Sequence, residues 1–126
     1  MASHKNVVEI EGNLISPPEL REVDGGYKVA HLRIASDQFY KTRDMKENES
    51  KDWEKATTYL TVEAWGDLAA HVAGMEKGAL LSIKGKLSES RWQDKEGKAR
   101  SSMFVRADTV DRMERSRQSE NGGQER

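Results

Sequence analysis

At 126 residues, with a formal net charge of −1, no cysteine and only 35% apolar residues, the chain has room for one domain with a modest core. A chain without cysteine excludes a disulfide scaffold and a thiolate metal site. The start, MASHKNVVEIEG, has no apolar run of signal-peptide length and no segment is long enough to span a bilayer, so a cytoplasmic protein without membrane contact is expected.

In chain order, NVVEIEGNL (Asn6 to Leu14) alternates, with Val8, Ile10 and Leu14 on one face and Val7, Glu9 and Glu11 on the other. That pattern predicts a half-buried strand, with a bulge or sharp bend at Gly12. Pro17-Pro18 punctuates the next stretch, and Gly25-Gly26 between two short runs predicts a hairpin turn. In the strand that follows, Ala30, Leu32 and Ile34 point inward and Val29, His31 and Arg33 outward. Phe39 to Lys55 carries five basic and five acidic residues without periodicity and reads as a long loop.

TTYLTVEAW is a further strand, with Leu60, Val62 and Ala64 inward and Tyr59, Thr61 and Glu63 opposite. GDLAAHVAGMEKG changes period: Leu68, Ala69, Val72 and Met75 share one helical face, and Lys77-Gly78 ends the helix. In ALLSIKGKL, Ala79, Leu81, Ile83 and Leu87 are predicted inward and Ser82, Lys84 and Lys86 outward. A last strand from about Ala99 to Val110 places Met103, Val105 and Ala107 inward. Beyond Met113 the chain is almost devoid of apolar residues, which predicts a disordered tail over 114–126 after a domain over 1–113. Three strands, one short helix and two strands describe an all-β, five-stranded OB-fold, a Greek-key barrel with its helix between strands 3 and 4.

The charge is unevenly spread. Lys77 to Arg106 holds eight basic and three acidic residues, a surplus of five, whereas residues 1–38 hold four basic and six acidic ones. Binding follows the local field, so this segment can meet a polyanion despite the overall balance. The outward faces carry His31, Arg33, Tyr59, Thr61, Lys84 and Lys86, with Tyr40 and Trp92 on adjoining loops. Aromatic rings among cations suit single-stranded nucleic acid: bases stack on the rings while Lys and Arg track phosphates, with little reading of sequence.

Structural roles stand beside this one. Tyr59 also fits cross-strand packing, and Trp92 folding onto its own barrel or a partner subunit. Trp65, at the helix start, reads as partly core while reaching the binding face at the strand end, and Phe104 as an oligomer contact. Catalysis is not expected. His4, His31 and His71 lack metal-ligand spacing, Ser101-Ser102 lack a hydrolase elbow, and no glycine loop cradles phosphate. Neither cofactor nor metal is called for.

The chain resembles the bacterial-type single-stranded DNA-binding proteins across roughly Asn6 to Met113. The matching pieces are GNL at Gly12–Leu14, PELR at Pro18–Arg21, GGYKVAHLRIAS at Gly25–Ser36 and AWGDLA at Ala64–Ala69. KG at Lys77–Gly78, KGKL at Lys84–Leu87 and RWQDKEGKAR at Arg91–Arg100 complete the series. The resemblance implies an OB-fold, a homotetramer around which DNA wraps, and stacking by Trp92 and Trp65. It also puts Tyr40 and Tyr59 where many members have tryptophans. Two departures stand out. The Phe39–Lys55 stretch is longer than usual, so Phe39 and Trp53 are candidates for an added contact or for loop packing. The chain also ends SENGGQER, without the family's acidic tail and apolar tip, so recruitment of replication and repair enzymes is not part of what this end implies. That ending fits an accessory, plasmid- or phage-encoded member, with chromosomal origin left open.

The expected function is non-enzymatic, sequence-independent binding of single-stranded DNA in replication, recombination or repair. The candidate contacts are Arg33, Tyr40, Tyr59, Trp65, Lys84, Lys86, Arg91, Trp92 and Arg100. A primosomal-type accessory acting mainly through protein contacts is the alternative, and RNA remains open because stacking does not distinguish sugars.

Overall fold

Alternation of aliphatic and polar side chains produces six strands in the computed structural model, which describes residues 1–41 and 53–114. They are β1 (Val8–Leu14), β2 (Glu19–Val23), β3 (Tyr27–Lys41), β4 (Trp53–Trp65), β5 (Leu80–Gln93) and β6 (Ala99–Arg112), with α1 (Asp67–Val72) between β4 and β5. The spatial order is β1-β5-β6-β4-β3, and β1 returns to β3 through Asn13↔Ala35 and Leu14↔Ile34, which closes a five-stranded barrel. All pairs are antiparallel except β4–β6, joined at Val62↔Val105 and Glu63↔Arg106. This is the OB-fold the sequence predicts.

The sixth strand, β2, lies outside the barrel on the edge of β3. It is the first arm of the hairpin predicted at Gly25-Gly26, where φ of +84° and +81° selects glycine twice.

Leu14, Leu32, Ile34, Val62, Leu81 and Ile83 are all but fully buried, as the period-two pattern requires. Val110 joins them because the register shift between Ala107 and Thr109 reverses the parity of the last strand. Helix α1 contributes buried Ala69 and Val72, with Leu68 and Met75 packed partly against the same core. It ends at Val72, earlier than the sequence predicts: the Met75 N–H donates to the Val72 carbonyl (3.0 Å) in a turn that leads the chain to β1 at Gly78. The Gly78 N–H donates to the Leu14 carbonyl (2.7 Å), and the Leu14 N–H donates to the Ala79 carbonyl (2.9 Å).

Four other expectations need correction. Val29, assigned outward, is only 3% exposed, since it is flanked by Trp65 on β4 and Arg21 on β2. The register irregularity lies at Lys84/Gly85, while β1 pairs regularly through Gly12. Gly12 is a point of close approach instead: a Cβ there would stand 2.5 Å from Ile34 Cγ2 and 2.6 Å from the Ala35 carbonyl oxygen. At the predicted loop, Phe39–Lys41 and Trp53–Lys55 are strand, paired residue by residue, while 42–52 lie outside the described residues. Leu87 and Met103 keep the inward parity yet are 45% and 54% exposed. Met103 lies where β5 and β6 have run past the barrel rim as a two-stranded arm, and Leu87, opposite the still-buried Val105, lies two residues beyond the last β1 pairing at Gly85. Of the predicted tail only Glu114 is described; 115–126 lie outside the described residues. Among the described residues no helix is long and apolar enough to cross a membrane.

Candidate nucleic-acid interface

Because inward residues of β3 and β4 are even-numbered, their odd-numbered residues form one outer face. That face carries His31, Arg33, Phe39 and Lys41 on β3, and Trp53, Lys55, Tyr59, Thr61, Glu63 and Trp65 on β4. Phe39 pairs with Lys55 and Lys41 with Trp53, so rings and cations alternate along the part that projects beyond the barrel. Phe39, Trp53 and Tyr59 are all exposed. Arg33 Nη1 donates to Thr61 Oγ1 (3.0 Å).

Trp65 is half-buried on this outer face, not in the core. Its indole Nε1–H donates to Glu63 Oε1 (2.8 Å), and the guanidinium of Arg106 sits 5.0 Å from its ring centroid. His31 Nε2 lies 3.2 Å from the other Glu63 oxygen. Cross-strand partners set Lys86, Arg106, Glu63, His31 and Glu19 in one row across five strands.

Tyr40 has the opposite parity from Phe39. It pairs with Glu54 on the other side of the arm, and its hydroxyl donates to Glu54 Oε1 (2.9 Å). That hydrogen bond, and then the carboxylate's charge, raise the phenol's pKa above its ordinary value.

The β5–β6 arm shows the same division. Lys84, Lys86 and Trp92 share its outer side, with Arg100 opposite Trp92 as its cross-strand partner. Arg91 points to the other side and is held by Glu89 (2.7 Å). At the tip, Asp94 Oδ1 accepts from the Glu96 and Lys98 amides (2.9 Å each), and Oδ2 accepts from Arg100 Nε (2.9 Å). The Lys98 N–H, followed by Arg100, holds the Asp94 carboxyl below the usual carboxylate range. Since β4 and β6 run parallel, both arms leave the barrel at the same end. The structure thus gathers Arg33, Tyr59, Trp65, Phe39 and Trp53 on one face and Lys84, Lys86, Trp92 and Arg100 on the adjoining one. Tyr40 and Arg91 are turned to the far sides of their arms.

The basic surplus of the Lys77–Arg106 segment is smaller in space than in sequence. Glu9 and Asp108, both outside the segment, lie 3.3 Å from Lys84 and 3.9 Å from Lys86. Exposed pairs of this kind contribute about 0–1 kcal/mol, so an incoming phosphate displaces them at little cost. Arg106, Lys41 and Lys55 join the face although alternation alone did not mark them. Arg106 arrives through the parallel β4–β6 pairing, which depends on barrel closure.

An OB-fold barrel with rings and cations along its outer sheet and two arms is the class these features define. The family model for the single-strand binding protein family matches residues 5–113, and the chain belongs to that family. The chain is 34% identical over 107 residues to single-stranded DNA-binding protein 2 of Streptomyces coelicolor, spanning 84% of this chain and 52% of that one. It is 31% identical over 123 residues to the single-stranded DNA-binding protein of Deinococcus radiodurans, spanning 98% and 39% of the two. Among solved structures it is similar to a deletion mutant of the single-stranded DNA binding protein from Thermus aquaticus. That likeness has 26% identity and a TM-score of 0.73, and covers 87% of this chain and 51% of that one. The chain spans about half the length of the relatives it matches.

Proposed function

We propose that the protein binds single-stranded DNA with little sequence preference, coating and protecting unwound strands in replication, recombination or repair, without catalysis. One observation carries this reading: Trp65, Tyr59, Trp53 and Phe39 share the outer face of β3 and β4, interleaved with Arg33, Lys41 and Lys55. Bases stack on the rings, each contributing roughly 1–3 kcal/mol, and the cations follow the phosphates. Trp92 and Arg100 extend the track along the second arm, with Lys84 and Lys86 at its base. Tyr40 and Arg91 meet a strand that passes around the arms. The names of the relatives point the same way. The place of action is the cytoplasm, at the nucleoid.

A fluorescence titration tests this. Oligo-dT is expected to quench tryptophan emission strongly and duplex DNA weakly, because paired bases cannot reach the rings; oligo-U in parallel reads the preference for sugar. With about four phosphate contacts, log affinity against log salt is expected to fall with a slope near −3. An affinity independent of salt would remove the cations from the site and favour a protein-binding role.

Assembly follows from exposed apolar surface. Val7, Leu87 and Met103 stand out in solvent on the single chain, and symmetric self-association is the commonest way to cover such surface. A strand wrapped over several copies also links weak contacts into a tighter whole. Light scattering is expected to give a mass near four chains at micromolar concentration. A monomer would sink the wrapping arrangement.

A further inference from the structure

We infer that Glu63 is a positioning residue for Trp65, holding the indole in the orientation in which it stacks on a base; this rests on the single-strand-binding reading above. Tryptophan has one polar atom, a donor, and here it is spent on Glu63 Oε1 at 2.8 Å. The carboxylate is itself fixed, since His31 Nε2 lies 3.2 Å from its second oxygen and its side chain is only 19% exposed. Arg106, the cross-strand partner of Glu63, covers one face of the ring at 5.0 Å. Edge and face are therefore both held, and a base uses the face that Arg106 leaves.

The placement of the charge makes the inference testable by sign. A carboxylate in the path of a polyanion repels it, so by charge alone its removal tightens binding. A positioning role gives the opposite result. Losing the acceptor frees the indole edge, and the ring loses the preorganisation that lowers the cost of stacking.

Glu63→Ala is expected to weaken oligo-dT binding about fivefold, the effect of one typical hydrogen bond. Glu63→Gln, whose amide oxygen still accepts from the indole while the repelling charge is gone, is expected to bind at least as tightly as the parent. In a Trp65→Phe background, which has no N–H to hold, Glu63→Ala is expected to cost no affinity. Should alanine weaken the strand, Glu63→Val removes the same acceptor with a strand-favouring side chain. A second readout needs no DNA. Solvent exchange of the Trp65 indole N–H, assigned by its loss in Trp65→Phe, is expected to be slow in the parent and in Glu63→Gln, and fast in Glu63→Ala. Indole exchange unchanged by Glu63→Ala, or an oligo-dT affinity equal to or above the parent's while Trp65→Ala weakens binding, would overturn the positioning role alone. A parent protein that does not bind oligo-dT would overturn the function and this role with it.

Discussion

Trp92→Ala is expected to weaken oligo-dT binding by roughly 1–3 kcal/mol for each base the ring engages, with the melting temperature nearly unchanged. Trp92 lies next to the tip of the β5–β6 arm, past the barrel rim, and is 49% exposed. No core residue is uncovered by its removal, so the change in stability belongs with ordinary surface substitutions, within about 0.5 kcal/mol. What the substitution removes is a ring beside Arg100, whose guanidinium is held by Asp94. A base stacked on Trp92 thus places its phosphate near a cation already fixed in position. The measurement pairs fluorescence titration, read through the remaining tryptophans, with thermal melting. An unchanged affinity with a lowered melting temperature would make Trp92 a packing residue and move the DNA path off this arm.

The barrel was legible because its core repeats with period two. Leu32, Ile34, Val62, Leu81 and Ile83 were each assigned inward by alternation and each is buried. Alternation cannot say where a barrel stops, however, and this is why Leu87 and Met103 were misplaced. Both continue the pattern faithfully on strands that outrun the core. The β3–β4 arm failed to show for the opposite reason. Its charged, mixed sequence carries no apolar face, and only the pairing from Lys41↔Trp53 downward shows it as strand. The outward positions of Arg33, Tyr59, Lys84 and Lys86 were read correctly, since parity survives whether or not a residue is covered. The contacts around Trp65 were not readable. Glu63 and Arg106 stand 43 positions apart in the numbering and meet only through the parallel β4–β6 pair, a consequence of closure rather than of either strand's pattern. The partners of Lys84 and Lys86 escaped notice because they depend on register: Glu9 faces Lys84 across the β1–β5 pair, and Asp108 reaches Lys86 beside the register shift of the β5–β6 pair.

Gly85→Ala is expected to lower stability by about 2–3 kcal/mol or more, the scale of overpacking a core, and to lower the melting temperature by roughly 10–20 °C. Gly85 sits at the register irregularity of β5, opposite Ala107 on β6. A Cβ there would run into the Arg106 carbonyl oxygen and stand 2.9 Å from Ala107 Cα. These are backbone atoms of a strand paired on both sides, to β5 and to β4, so they cannot swing away as a side chain tip would. Relief requires β6 to move, and β6 carries Arg106 against Trp65. The substitution is therefore expected to weaken oligo-dT binding as well, although Gly85 itself is buried and touches no base. Gly26→Ala is the contrasting case: nothing lies within 4 Å of its added Cβ, and only its φ of +81° opposes the change. Its cost is expected to stay near 1–2 kcal/mol, with binding untouched. Equal losses of stability at the two glycines would mean that β6 gives way at Gly85 and that the close approach there costs no more than a turn glycine's φ.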